Sequence, residues 1–212
     1  MTGRAAVVAA LLLCVGCLSS SVPVPKTWVV SPAEDVKPPA VPPPGAFSVT
    51  REGTLTVLPP FDSTSFVVRR ADGSVARDPF NVFASPPSAL LRTAVRARLE
   101  ADGRFGRVMP QASIASVDAQ VEVTVRDLSL DCSEAERRTA RAAVSIDVLR
   151  MGRGARAVIL SGDGVGRGDA TKGDYSAAFS QAFDAALVDA LRALKDHPPS
   201  QPLESKPKGE QK

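Results

Sequence analysis

Three consecutive segments in the second half of the chain, residues 117–130, 138–151 and 156–168, alternate apolar and polar side chains. A period of two places the two sets on opposite faces of a β-strand, so each segment is predicted to be a strand. Short connections join the three, which predicts antiparallel pairing. The alternation slips at Asp127-Leu128, which predicts a β-bulge. These strands therefore specify a sheet with one apolar face that other elements must cover.

Two segments have the apolar spacing of helices that are able to cover such a face. Residues 86–103 and 174–196 each carry an apolar stripe with helical period. Gly103 is placed to end the first helix, and Asp174 is placed to cap the start of the second. The first helix also has an arginine-rich face, which is predicted to be solvated. The arginines of this face are Arg92, Arg96 and Arg98.

Further strands are predicted before the first helix. Residues 53–60 alternate, and residues 65–70 and 75–78 read as a hairpin closed by an Asp-Gly turn. The order of strands, helix, three strands and helix predicts the α+β class. The expected architecture is an antiparallel meander sheet with two helices packed on one face.

A glycine-rich stretch, SGDGVGRGDATKGD at residues 161–174, invites comparison with a phosphate-binding loop. A Walker loop needs Gly-Lys-Ser/Thr, whereas here Lys172 precedes Gly173. Glycine at every second position is more typical of a strand with one bare side, against which another backbone packs closely. The alternation therefore predicts close packing, and a nucleotide site is not expected.

Residues able to carry out catalysis are scarce. The chain has three cysteines and one histidine, and His197 lies among prolines near the end of the sequence. We expect no catalytic residues, no metal site and no cofactor, and hence no enzyme. The net charge of +3 comes from basic residues scattered among acids, so nucleic-acid binding is not expected either. Cys132 is predicted to be an inert, partly buried thiol.

The N-terminus has the pattern of a secretory signal. Arg4 precedes an apolar run over residues 5–15, which is shorter than the roughly 20 residues needed to span a bilayer. Val15-Gly16-Cys17 then resembles the bacterial lipobox, with Cys14 where leucine is usual. The resemblance implies cleavage before Cys17 and acylation of this cysteine. The alternative is an ordinary signal peptide followed by an incidental cysteine.

These observations predict four parts. Residues 1–16 are the signal peptide, and residues 17–47 are the lipidated cysteine and a proline-rich tether with a short strand at 27–30. Residues 48–196 form the α+β domain. Residues 197–212 form a disordered polar tail. Leu18 stands where aspartate would signal inner-membrane retention, so the outer membrane, on its periplasmic side, is the expected location.

The combined pattern resembles the ABC-type transport auxiliary lipoproteins, the PqiC-like family, over residues 17–195. The resemblance rests on the lipobox cysteine, TWVV at 27–30, LPPF at 58–61, FVVR at 66–69 and RDPFNVFASPP at 77–87. Family members have Asp-x-Tyr-x-x-Trp-Ala-x-Pro-Pro at the last site. Phe80 takes the place of this tyrosine and Phe83 that of the tryptophan. Phe80, Phe83, Pro86 and Pro87 are therefore candidate interface or packing residues.

The resemblance implies a non-enzymatic auxiliary component of an ABC/Mce-type envelope transport system for lipids or other hydrophobic compounds. It implies the membrane, through the acyl anchor, together with an ABC permease, its ATPase and an Mce-type substrate-binding protein as partners. A homo-oligomer stays open. The first alternative is an accessory lipoprotein of outer-membrane assembly or secretion. The second is a hydrolase or ligand-binding enzyme, which the scarcity of catalytic residues disfavours.

Overall fold

The computed structural model describes residues 23–32, 46–134, 136–151 and 156–196. The predicted signal peptide, Cys17, most of the predicted tether and the predicted polar tail lie outside the described residues.

Within these described ranges, one sheet of nine strands forms the scaffold, with two helices. The strands run in the spatial order β1-β4-β3-β6-β7-β8-β9, and β2 joins β6 and carries β5. The strands are β1 (Lys26–Trp28), β2 (Phe47–Val57), β3 (Ser65–Arg70), β4 (Val75–Phe83), β5 (Phe105–Met109), β6 (Ala119–Glu134), β7 (Arg137–Met151), β8 (Arg156–Asp169) and β9 (Lys195–Asp196). The helices are α1 (Pro87–Asp102) and α2 (Tyr175–Arg192).

The sheet is mixed, so the predicted antiparallel meander is wrong. The pairs β1–β4, β2–β5, β2–β6 and β3–β6 are all parallel. The sheet is mixed because two strands, β2 and β3, pair along the same edge of the long strand β6. Strand β2 pairs with its first half and β3 with its second half, both running in the direction of β6. Sequence alternation identifies such strands but does not give their direction.

Strands β6, β7 and β8 pair antiparallel in chain order. The register between β6 and β7 shifts between Val125 and Asp127, which confirms the predicted bulge. Buried side chains before the bulge, such as Val123 and Val125, continue on the same face after it as Leu128 and Leu130. The bulge therefore keeps one apolar face along the whole strand.

Helix α1 begins and ends within a residue of its predicted bounds, and helix α2 begins within a residue of its predicted start. Gly103 ends α1 with a φ of 79° in the left-handed region, which glycine adopts without strain. At the start of α2, the Ala177 amide donates to a carboxylate oxygen of Asp174 at 3.0 Å. Both ends of α1 and the start of α2 are thus confirmed, whereas the predicted end of α2 at residue 196 is wrong, because the helix stops at Arg192 and Lys195–Asp196 form β9.

Helix α2 lies directly on the glycines of β8. A Cβ built on Gly166 would lie 2.6 Å from the amide nitrogen of Ala186 and closer still to the carbonyl oxygen of Ala182. Gly164 meets the backbone of α2 in the same way at Ala186 and Ala190. The predicted close packing against a bare side of the strand is thus confirmed.

The arginines of α1 are not a solvated face, so this prediction is wrong for Arg96 and Arg98. The Arg96 guanidinium lies 2.6 Å from the buried carboxylate of Glu52 on β2, and this hydrogen bond raises the pKa of Arg96. The Arg98 Nε donates to Asp184 of α2 at 2.9 Å. Both partners are distant in sequence, and their pairing fixes α1 against β2 and α2.

Candidate functional site

The N-terminal strand β1 docks at one edge of the sheet and is the starting point for a candidate site. It pairs parallel with β4, with Lys26 opposite Asn81 and Trp28 opposite Phe83. The Ala84 amide donates to the Trp28 carbonyl at 2.7 Å. The chain ahead of the domain is thereby built into the sheet.

Beyond β1 the backbone passes to the first turns of α2. The Val29 amide donates to the Ser176 hydroxyl at 3.3 Å, and the Ser31 amide donates to the Ser180 hydroxyl at 3.0 Å. An edge strand of three residues makes few ladder bonds, so these two side-chain acceptors extend its attachment. The serines are four residues apart and therefore lie on one side of the helix.

Trp28 anchors this segment by both its polar and its apolar atoms. Its Nε1–H donates to the Asn81 side-chain carbonyl at 3.0 Å, and Asn81 in turn donates to Asp78 at 2.8 Å. The indole meets the Tyr175 ring edge-on at a centroid distance of 5.1 Å. A half-buried indole with its N–H satisfied is a strong packing element.

The indole belongs to an aromatic cluster that joins the edge of the sheet to the start of α2. Phe66 lies at its centre, with ring centroids 4.6 Å from Phe83 and 4.9 Å from Phe179. Phe83 and Phe179 are themselves 5.2 Å apart. The aromatic cluster consists of Trp28, Phe66, Phe83, Tyr175 and Phe179. The aromatic cluster holds β1 through the contact between Trp28 and Tyr175.

The four candidate residues from the sequence do not form one surface. Phe83 is only 4% exposed, within the aromatic cluster, and Pro87 is buried at the first position of α1. Phe80 is 49% exposed, and Pro86 is exposed at the N-cap of α1. Phe83 and Pro87 thus have packing positions, while Phe80 is the accessible aromatic side chain of the set.

Sequence reasoning missed the residues that hold β1. Asn81 lies within the motif that carries the family resemblance, three positions after Asp78. Asp78 accepts the amide of Phe80 at 2.8 Å, which is the local geometry typical of aspartate in a turn. Asp-Pro within a strand-like segment was a signal for this turn. Nothing local indicated that Asn81 binds the indole.

Two ionisable groups lie beside the aromatic cluster, and both have shifted pKa values. Arg138 donates to the Tyr175 hydroxyl at 2.6 Å, which raises the pKa of Arg138. Burial raises the pKa of the half-buried Cys132 thiol, so little thiolate forms at neutral pH.

A polar recess of about 370 Å³ lies on the sheet near the β6–β7 turn. Its charged lining contains as many arginines as acids: Arg141 pairs with Asp131 at 3.0 Å, and Arg137 and Arg167 lie close to Glu134 and Asp169.

Among the described residues, no group of three or more His, Cys, Asp or Glu side chains is arranged to hold a metal ion. Within the same described parts, neither helix has the length and hydropathy required to cross a membrane.

Comparisons with solved structures find this fold elsewhere. A Xanthomonas campestris crystal structure described as a DUF330 protein aligns with a TM-score of 0.59 and 18% identity, covering 78% of this chain and 90% of that one. A second crystal structure, of an uncharacterized protein, aligns with a TM-score of 0.56 and 12% identity, covering 80% of this chain and 97% of that one. These similarities show a shared fold.

Comparisons of the sequence identify no related protein. No protein-family model matches the chain, and no curated protein matches it. The similarity therefore lies in the three-dimensional arrangement, and it extends over nearly the whole of both neighbouring structures.

Proposed function

We propose that this chain is a PqiC-like lipoprotein, anchored through an acylated Cys17 to the periplasmic side of the outer membrane. It serves as a non-enzymatic auxiliary component of an ABC/Mce-type transport system for lipids or other hydrophobic compounds. Its partners are an ABC permease, an ATPase and an Mce-type substrate-binding protein.

The observation that carries this proposal is the fold shared with the DUF330 protein, because DUF330 corresponds to the PqiC-like family. The family resemblance of the sequence points to the same group independently of the fold. The motif that carries it, at residues 77–87, forms the docking edge for β1 through Asn81 and Phe83. Support thus comes both from the architecture and from the element that attaches the N-terminal segment.

The anchor is tested by expressing the full chain and the Cys17→Ser variant in a bacterium that processes lipoproteins. Intact-mass measurement of the wild type should give a chain that begins at Cys17 and carries acyl groups, fractionating with outer membranes. Cys17→Ser should lose both the acyl mass and the membrane fractionation, while the control Cys132→Ser keeps them. An unacylated wild-type chain would contradict the proposal.

The transport role is tested by co-purification from crosslinked membranes of the native host. The wild-type chain should retain a permease, an ATPase and an Mce-domain protein. The Phe80→Ala variant tests whether the accessible aromatic side chain contributes to this co-purification. Val165→Ala is the matched control because Val165 is exposed on the distant strand β8. Recovery of outer-membrane assembly or secretion proteins in place of the transporter would favour the alternative role.

A further inference from the structure

We infer that strand β1 orients the domain on the bilayer, so that the β3–β4 and β6–β7 turns face the phospholipid headgroups. This end of the domain is called the proximal end, and the opposite end, with Ala119 and the loop containing Ile114, is the distal end. The inference rests on the proposed acylation of Cys17, and it concerns which surface of the domain meets the membrane.

The direction of β1 decides which end is proximal. Because β1 runs parallel to β4, the chain enters it from the side on which β4 begins at Val75. Val75 pairs with Arg69 near the end of β3, and Arg70 pairs with Cys132 near the end of β6. The chain before Lys26 thus arrives from the end of the sheet that carries these two turns.

The length of chain between the anchor and β1 restricts the orientation further. Lys26 follows Cys17 by nine positions in the chain, a stretch that spans at most about 30 Å. From the level of Lys26 to Val75 is six residues of β4, or at most about 20 Å, because a bulge between Asp78 and Val82 shortens the strand. The anchor therefore reaches a membrane at the proximal end with little slack.

The distal end lies on the other side of Lys26, so the chain before β1 would have to reverse its direction to reach it. Lys26 is opposite Asn81, which neighbours the Val82–Ser65 pair, and Val67 on the same strand as Ser65 pairs with Ser129. Lys26 is therefore near the level of Asp127, and Ala119 lies about eight residues of β6 further on, or about 26 Å, which would use nearly the whole length of the short tether. Without the docking of β1, thirty residues would connect Cys17 to Phe47. They would span up to about 100 Å and allow any orientation. With β1 docked, the connection from Cys17 ends at Lys26 and is therefore much shorter than a connection that ends at Phe47.

The proximal surface has groups that suit phospholipid headgroups. Exposed arginines stand beside exposed acids, and arginine pairs well with phosphate while carboxylates pair with ammonium groups. The arginines are Arg70, Arg77, Arg137 and Arg138, and the acids include Asp72 and Glu134. Because the two signs are mixed, the acyl anchor holds the domain at the membrane and β1 sets its orientation.

The test uses the acylated full-length protein, with Cys132 replaced by Ser, in vesicles of phosphatidylethanolamine and phosphatidylglycerol. A fluorophore is attached at Ser74→Cys in the proximal turn or at Ile114→Cys in the distal loop, both exposed. A fraction of the lipid carries a headgroup quencher. We expect quenching at position 74 to exceed that at position 114 at least threefold.

A pair of insertions separates the role of β1 from that of tether length alone. Ten Gly/Ser residues inserted between residues 22 and 23 lengthen the chain before β1, and the difference between the labels should fall to less than half. The same ten residues inserted between residues 40 and 41, after β1, should leave it unchanged. Equal effects of the two insertions, or equal quenching at both positions in the parent protein, would overturn the inference.

The measurement also distinguishes this inference from the proposed function. Mass measurement of the purified protein establishes acylation first, and an unacylated Cys17 overturns both. An acylated protein with equal quenching at the two ends overturns the orientation alone. Strong quenching at position 114 together with weak quenching at position 74 would show that the opposite end faces the membrane.

Discussion

Replacing Gly166 by alanine should severely disturb the contact between β8 and α2. The new methyl group would lie 2.6 Å from the Ala186 amide nitrogen, and the Ala182 carbonyl oxygen is closer still. Both atoms belong to helix backbone, so neither moves by a simple side-chain rotation. Helix α2 would have to lift from the sheet, which would disturb the buried residues Phe179 and Phe183.

The size of the effect follows from this geometry. Overpacking a well-filled core usually costs about 1–3 kcal/mol. Alanine in place of a strand glycine gains back about 0.5–1 kcal/mol through lower unfolded-state entropy. Because rigid backbone opposes the methyl group of Gly166→Ala on two sides, we expect a cost at the upper limit and, after this gain, a net loss of about 2–2.5 kcal/mol. This corresponds to about 4–10 °C in melting temperature for a chain of this size.

The assay is urea unfolding followed by far-UV circular dichroism, on the mature chain with Cys17 replaced by Ser. Val165→Ala is the control on the same strand, because Val165 is 67% exposed and should change stability by less than about 0.5 kcal/mol. Gly73→Ala controls for glycine itself, since Gly73 has open space but a φ of 79°, and it should cost about 1–2 kcal/mol. A Gly166→Ala midpoint equal to that of Val165→Ala would refute the close packing.

Two further predictions concern Phe83 and Asp131. Phe83→Ala should cost about 3–5 kcal/mol because its ring is buried, whereas the half-exposed Phe80→Ala should cost less than about 1 kcal/mol; the reverse order in urea unfolding would contradict the assigned positions. Hydrogen bonds from Ser133 and then Arg141 lower the pKa of Asp131, so its contribution to stability is present above the unfolded pKa and is lost as the pH falls through the folded pKa. Asp131→Asn should therefore lower stability at pH 7 and weaken the loss of stability as the pH falls below about 5, and an unchanged slope of urea midpoint against pH would be inconsistent with that role.

Local patterns were sufficient to predict the elements that neighbouring residues specify. The alternation over β6, β7 and β8 requires only a period of two, and their antiparallel pairing follows from short connections. The end of α1 at Gly103 is also local, since a left-handed residue stops a helix within one turn. These features depend on a few residues close together in the chain.

Strand direction and ion pairing were not predictable in this way. Strands β2 and β3 share one edge of β6 because of connections that run across the molecule, and no pattern within either strand encodes this. The sequence predicted a solvated arginine face on α1 because the acidic partners are distant in the chain. Glu52 is 44 residues from Arg96, and Asp184 is 86 residues from Arg98. The energetics of both features is set by long-range contacts.

The different exposures of the candidate residues Phe80 and Phe83 are partly predictable from the sequence. In a regular strand over residues 75–83, side chains three positions apart are expected on opposite faces, and in β4 a bulge interrupts the pairing between Asp78 and Val82. One of the two phenylalanines then has to face the core, and the other has to be accessible. Their different exposures, 49% and 4%, agree with this rule. Which of them is buried depends on Phe66 and Phe179, which only the fold brings together.

The contact between β8 and α2 follows from two sequence repeats of nearly equal length. Alanines recur every four residues along α2, and glycines every two residues along β8, and they meet in reverse order from Ala178 with Gly168 to Ala190 with Gly162. Four helix residues advance about 6.0 Å, and two strand residues about 6.6 Å. The mismatch is about 0.6 Å per step, so the two backbones stay together over three steps. A slip of β8 by one residue would turn Val165 toward the helix, and it would not fit. The two repeats therefore allow the close packing of α2 on β8, and the short connection from Asp169 to Tyr175 makes the helix antiparallel to the strand.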